Sequence, residues 1–291
     1  MLEKDNKFPS SENKSSFLFA LIQLYKLKVR NIGDFYKSKI SLGNRMNSQG
    51  EMLELFVRDL FSGSYLINDW QEKEKNWNNY FLKLGSLSRP PDFITRDGIV
   101  VEVKKTQSAS NIQFNSSYPK KQYFDKEKNL NFDTLYLVGK LSKSNDLEMM
   151  WLVYGDCLFA ENEFYKKSKK KIKEYIGSAK DKDKQGTTVE LGRYNEIDPL
   201  KITDLRIRGM YQVKHPKEVF DYLLKDIQIE RNKVSCFALV LESKWEKFPL
   251  NLKSEIEKLS SSKDFFIKTV LIKNPDNPEN QLSAKFIYFS Y

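Results

Sequence analysis

The residues best equipped for chemistry lie in Arg89-Pro90-Pro91-Asp92-Phe93-Ile94-Thr95-Arg96-Asp97-Gly98-Ile99-Val100-Val101-Glu102-Val103-Lys104. Asp97-Gly98 between two β-prone runs predicts a hairpin. Side chains alternate along a strand, so Glu102 and Lys104 share one face while Val101 and Val103 take the other. The turn decides where Asp92 falls. A two-residue turn sets Asp92 opposite Val103, facing away from Glu102. A three-residue turn, Arg96-Asp97-Gly98, pairs Ile94 with Val100, Phe93 with Val101 and Asp92 with Glu102. That turn wants glycine at its last, left-handed position, where Gly98 stands. We predict the three-residue turn, with Asp92, Glu102 and Lys104 on one face.

Two adjacent carboxylates raise each other's pKa unless a cation sits between them. Carboxylate oxygens with a nearby main-chain carbonyl are hard ligands suited to Mg²⁺. A lysine beside them can orient or deprotonate a water, or stabilise charge growing on a phosphate. The plainer reading is a polar strand face with a charge pair across it, since a short Pro-Asp…Glu-x-Lys match is degenerate.

The elements that must position this face can be read on either side of it. Ser48 and Glu51 read as a capping box, and Leu53, Phe56, Val57, Leu60 and Phe61 recur at helical spacing. Ser62-Gly63-Ser64 ends that helix. Glu51 lies opposite the apolar stripe, as half of the cap. Glu54 borders the stripe and is the candidate for a further acidic group at the site. Upstream, residues 1–16 form a polar arm, and Phe17 to Tyr36 a helix or two. Downstream, a polar helical or loop region precedes strands at Thr134–Val138 and Met150–Tyr154. This order gives a mixed α/β domain. After about Phe159 come a lysine run (Lys166 to Lys173), a charged loop, strands at Ile202–Arg208 and Cys236–Leu241, a helix at Lys217–Ile227 and a terminal apolar run. They make a C-terminal α+β extension. We divide the chain into an arm and helix (1–43), a catalytic core (44–160) and a basic C-terminal part (161–291), the alternative being that the last two share one core.

Composition narrows the function. The 291 residues carry 49 Lys plus Arg against 39 Asp plus Glu, a net charge of +10. That excess suits a polyanion such as nucleic acid. At 40% hydrophobic and 13% aromatic, the chain has ample core material. The apolar stretch from Phe17 to Tyr25 is too short for a membrane span and makes a poor secretory signal. Cys157 and Cys236 give neither a disulfide framework nor a zinc pair, and a lone His215, a helix-entry residue before Pro216, rules out two-His metal sites. A soluble, cytoplasmic chain without a membrane partner is expected.

Pro91-Asp92 followed by Glu102-Val103-Lys104 resembles the PD-(D/E)xK nuclease signature. More specifically, the chain resembles the NgoPII family of type II restriction endonucleases. The matching blocks are Asn44-Arg45-Met46-Asn47 through Leu53-Glu54, Asp59-Leu60-Phe61-Ser62-Gly63-Ser64, Pro90-Pro91-Asp92, Glu102-Val103-Lys104-Lys105, Asn115-Ser116-Ser117-Tyr118-Pro119-Lys120 and Val153-Tyr154-Gly155. They continue with Leu191-Gly192-Arg193, Asp198-Pro199-Leu200 and Leu205 to Met210. The resemblance implies a restriction-endonuclease-like core, a mixed central sheet flanked by helices. It implies Mg²⁺ held by Asp92, Glu102 and the Val103 carbonyl, with Lys104 positioning or activating the attacking water and 5′-phosphate ends as product. It further implies a prokaryotic homodimer on double-stranded DNA, a short palindromic GGCC-like target and functional pairing with a cognate methyltransferase. The chain itself lacks methyltransferase motifs.

Candidates for DNA contact follow. Arg206 and Arg208 alternate with apolar residues, and arginine suits guanine O6 and N7. Arg193 falls in a matching block. Asn115, Ser116, Ser117 and Lys120 form a polar loop just after the catalytic strand, where short side chains and lysines can hold phosphates. The lysine run ranks below them, because such runs are usually solvated helix faces. Competing readings are a repair or structure-selective nuclease on the same core, and a catalytically inactive DNA-binding protein, which the intact Asp92, Glu102 and Lys104 disfavour.

Overall fold

In a computed structural model, the apolar periodicities resolve into helices flanking one large mixed sheet. The structure describes residues 15–36, 45–86, 89–106, 111–115, 118–179, 193–194, 197–206, 210–225 and 227–291. Helices α1 (Ser16–Leu27), α2 (Gly33–Tyr36), α3 (Arg45–Ser62) and α4 (Trp70–Tyr80) come first. Next are β1 (Phe81–Ser86), β2 (Arg89–Thr95), β3 (Ile99–Thr106), β4 (Ile112–Asn115), β5 (Gln122–Asp125), β6 (Leu130–Leu141) and β7 (Leu147–Tyr154). They are followed by α5 (Gly155–Leu158), α6 (Asn162–Ala179), β8 (Arg193–Tyr194), β9 (Thr203–Arg206), β10 (Met210–Val213) and α7 (Pro216–Val219). The chain closes with β11 (Ser235–Leu241), α8 (Glu242–Trp245), α9 (Leu250–Leu259), β12 (Phe265–Lys273) and β13 (Gln281–Ser290).

The large sheet runs β1-β2-β3-β6-β7-β11-β13-β12, with β5 also joined to β6. The β3–β6 and β7–β11 pairs are parallel, and their neighbours antiparallel. Strands from both sides of residue 160 therefore share one sheet, and their side chains form one continuous core. Central strands explain the unbroken apolar runs. Leu135 to Val138, Met150 to Tyr154 and Cys236 to Val240 are all buried, as strands covered on both faces require. A second sheet, ordered β4-β10-β9-β8, takes its first strand from the segment just after β3.

Two helices fix the hairpin's position. Ser15 caps α1 by accepting the Leu18 amide at 3.3 Å, and eight of the helix's twelve residues are buried. The turn residue Asp97 accepts from the Ser16 amide at 2.8 Å and its hydroxyl at 2.7 Å, tying the hairpin to the start of α1. The predicted stripe of α3, Leu53, Phe56, Val57, Leu60 and Phe61, is buried. The helix ends where expected: Gly63 has φ +68° and the Ser64 amide donates to the Asp59 carbonyl at 3.0 Å. Gly139 of β6 lets α3 come close, since a Cβ there would lie 2.7 Å from Leu53 Cδ2.

Three expectations are corrected. The helix of α3 is already formed at Arg45, so Ser48 and Glu51 lie inside it and are not a capping box. Buried Gln49 stabilises that extension by donating to the Ser142 carbonyl at 2.9 Å and Asn145 Oδ1 at 2.8 Å. The polar region before Thr134 contains β4 and β5, whose partners β10 and β6 supply the pairing that local periodicity does not announce. The helix expected over Lys217–Ile227 stops at Val219, because buried Phe220 leaves helical geometry (φ −111°, ψ 25°), and a single 3₁₀ turn, Asp221–Leu224, follows. Among the described residues no helix is long and apolar enough to cross a membrane.

Candidate active site

Strands β2 and β3 pair with Phe93 opposite Val101 and Ile94 opposite Val100, the register of the three-residue turn. Gly98 has φ +83°, its amide donates to the Thr95 carbonyl at 3.0 Å, and Thr95 Oγ1 accepts the Ile99 amide at 3.0 Å. This register carries Asp92 to Glu102. Asp92 Oδ2 accepts the Val103 amide at 2.6 Å. Lys104 Nζ lies 3.0 Å from Glu102 Oε2 and 3.3 Å from the Val103 carbonyl. Val101 and Val103 are buried, so the alternation delivers carboxylates, carbonyl and ammonium to one place.

Helix α3 brings Glu54 and Arg58 to the same place. Both feel the charge of Asp92, and Arg58 Nη2 donates to the Asp92 carbonyl at 3.4 Å. The guanidinium lies 5.8 Å from the Trp77 ring centre, and its Nε is buried without a hydrogen-bond partner. Sequence reasoning passed over Arg58. Its signal was the four-residue spacing from Glu54, which puts the two on one helix face. The next residue, Asp59, points the other way into a fully buried network. It accepts from Trp77 Nε1 at 2.9 Å, from Tyr36 Oη and from the buried Lys73 ammonium, locking α3 to α2 and α4.

Lys120 enters from the segment after β4. Tyr136 stands opposite Glu102 on β6, and its hydroxyl accepts the Lys120 amide at 2.7 Å and donates to the Lys120 carbonyl at 3.0 Å. From β4, the Phe114 ring comes within 5.7 Å of Lys104 Nζ.

Burial, then the charge of Asp92, pushes the Glu54 carboxyl up to about 7. Burial also raises Glu102, with Lys104 opposing it. For Lys104 burial works against charge, but Glu102 and Asp92 outweigh it and hold the ammonium above its ordinary value. Burial lowers Lys120, against the pull of Glu102. The metal donors available are all oxygen: Asp92, Glu102 and the Val103 carbonyl. Among the described residues no group of three or more His, Cys, Asp or Glu side chains is assembled for a metal.

The remaining candidates fall elsewhere. Asn115, Arg193 and Arg206 lie on β4, β8 and β9 of the small sheet. Arg193 stands opposite Arg206, Arg206 opposite Met210, and the next residue, Tyr211, opposite Asn115, so the backbone gathers all three at one end of that sheet. Ser116, Ser117 and Arg208 lie outside the described residues. His215 caps α7, accepting the Lys217 amide at 3.0 Å, and both cysteines are buried.

Set beside known proteins, the chain falls among the type II restriction endonucleases, hydrolases that cut double-stranded DNA at specific sites. It belongs to the NgoPII restriction endonuclease family, whose model matches residues 15–273. It is 38% identical over 261 residues to a protein of Neisseria gonorrhoeae named type II restriction enzyme NgoPII, a match covering 84% of this chain and 90% of that one. No solved structure matches.

Proposed function

We propose that Asp92, Glu102 and Lys104 are the cleavage centre of this restriction enzyme, on a PD-(D/E)xK core, and that it uses Mg²⁺. The carrying observation is the hairpin register, which pins Asp92 to the Val103 amide and sets Glu102 and Lys104 beside it. The donors fit the ion. Mg²⁺ takes hard oxygen ligands, commonly one or two carboxylates, and keeps several waters. Burial first, and the charge of Asp92 after it, raises Glu54 and Glu102, and a divalent cation held there would favour their charged forms. When bound, the ion would polarise the scissile phosphate and stabilise the leaving oxygen.

The chain's own groups do the rest. Lys104, ion-paired to Glu102, presents ammonium hydrogens that orient the attacking water and meet charge growing on the phosphate. Arg58 brings a second cation beside Asp92, its Nη2 donating to the Asp92 carbonyl. Hydrolysis would leave 5′-phosphate and 3′-hydroxyl ends. Residues 44–160 would supply cleavage, and residues 161–291, completed by β4, would supply recognition and dimerisation. A homodimer matches a palindromic, GGCC-like target through its two-fold axis, and protection of host DNA would fall to a cognate methyltransferase.

Digestion of a sequenced plasmid tests this reading. Discrete fragments with Mg²⁺, none with EDTA, and none from Asp92→Ala are expected, and the fragment ends report target and stagger. Fragments from Asp92→Ala at the wild-type rate would overturn the site assignment. Cutting confined to junctions or mismatches would favour a structure-selective nuclease.

A further inference from the structure

Two lysines from distant parts of the chain converge on one aromatic ring beside the cleavage centre. Lys120 Nζ lies 5.6 Å from the centre of the Tyr118 ring, and Lys169 Nζ, on α6, lies 6.0 Å from it. The ring is held in place. It stacks on the buried Tyr165 of α6 at 5.8 Å, with the planes 6° apart, and meets Tyr211 of the small sheet edge-on at 6.3 Å.

The neighbours of both lysines behave differently. Lys121 is ion-paired to Asp276, and Lys166 to Glu163 at 2.6 Å, whereas Lys120 and Lys169 have no ion pair among the described residues. Lys166, Lys167, Lys170 and Lys171 are exposed, and Lys169 is half-buried against Tyr118. The charge of Lys169 reaches Lys120 and disfavours its protonated form, while Glu102 favours it, so the pair is electrostatically joined to the cleavage centre. Holding two like charges near one rigid ring, with no carboxylate paired to either, leaves a place for an anion that the described residues do not supply.

We propose that Lys120 and Lys169, seated on Tyr118, form a subsite for a DNA backbone phosphate adjoining the scissile one. Of the lysine run, Lys169 is then the residue that touches DNA, and the exposed members are a solvated helix face. The small sheet adjoins this subsite through Tyr211, so the phosphate path would run between the cleavage centre and the strands that carry Asn115 and Arg206. The inference rests on the DNA-cutting reading of the site.

The test is equilibrium binding of short duplexes of unrelated sequence, in EDTA, across a range of salt. A backbone contact carries no sequence information, so Lys169→Gln should weaken every duplex alike. The slope of log affinity against log salt should become shallower by about 0.9, the loss of one released counterion. Lys169→Arg should keep the wild-type slope, and Lys120→Gln should repeat the loss. Lys170→Gln, one residue along, should bind as wild type. A folded Lys169→Gln with unchanged slope would overturn the subsite, as would an equal loss in Lys170→Gln, which would mean diffuse attraction. Wild-type protein that binds no duplex at any salt would overturn the DNA reading itself, a result distinct from either.

Discussion

Asp92 Oδ2 accepts the backbone amide of Val103 at 2.6 Å, across the hairpin and within the strand that carries Glu102 and Lys104. One carboxylate oxygen is committed to holding the register, and the other is left for chemistry. Asp92→Asn retains an oxygen that can accept the Val103 amide and removes the charge. The folded protein should survive with an unchanged melting temperature, and plasmid cleavage should fall by more than about 100-fold, as expected when a metal-binding charge is lost. Asp92→Ala should lose both the register bond and cleavage. An Asp92→Asn variant that cuts at the wild-type rate would remove Asp92 from the reaction.

Gly98 carries the same register from the turn. With φ +83°, and a Cβ that would lie 3.2 Å from Phe132 Cδ1, it tolerates a side chain poorly. Gly98→Ala should lower stability in urea unfolding by about 1–2 kcal/mol, the usual cost of a left-handed non-glycine residue. A smaller loss would mean that the turn relaxes. This part of the site was legible in the sequence, because the turn, the alternation and Gly98 are local and agree with one another. Helix α3 was legible for the same reason over its apolar stripe, and its Schellman end was read correctly from Gly63. Its start was not, because Gln49 is stabilised by the distant Ser142 and Asn145. Arg58 escaped notice because nothing local marks a buried arginine whose contacts, Asp92 and Trp77, lie on other elements. Strands β4 and β5 were missed because their hydrogen-bonding partners are set by topology.

Asp59 and Lys73 are a second pair that periodicity hides, and they are not equivalent. Removing Asp59 takes the carboxylate from beside a fully buried ammonium and deletes an acceptor of Tyr36 and Trp77. Asp59→Ala should cost about 3–5 kcal/mol, the range for breaking a buried pair. Lys73→Met leaves Asp59 with two donors and should cost less. Urea unfolding of both variants gives the order, and equal losses would show that Tyr36 and Trp77 do not share the charge.

The single histidine predicts a pH dependence of stability. Burial, then Lys217 and Lys140, lowers His215 from its ordinary 6.5 to about 4. The unfolded chain takes up this proton near pH 6.5, and the folded chain resists it until about pH 4. The stabilisation is therefore complete above pH 6.5 and is lost as pH falls through that window. The total is on the order of 3 kcal/mol. His215→Asn, which can still cap α7, should abolish this component of the slope between pH 6.5 and 4. A wild-type protein whose stability is flat there would place a charged histidine at this position.

Specificity should separate from backbone binding on the small sheet. Arg193, Arg206 and Asn115 are brought together at one end of it by the pairings of β8, β9, β10 and β4, although Asn115 and Arg206 are 91 positions apart in the chain. If this end reads base edges, Arg206→Ala should cost about 1–3 kcal/mol on the cognate site and relax the choice of base at one position. It should affect non-cognate duplexes far less. Lys169→Gln should instead weaken all duplexes alike, so the two variants differ in kind as well as in size. Relative kcat/KM on plasmids carrying single-base variants of the target measures the difference. A uniform loss in Arg206→Ala would move that residue from base reading to phosphate contact and leave the choice of sequence to Arg193 and Asn115.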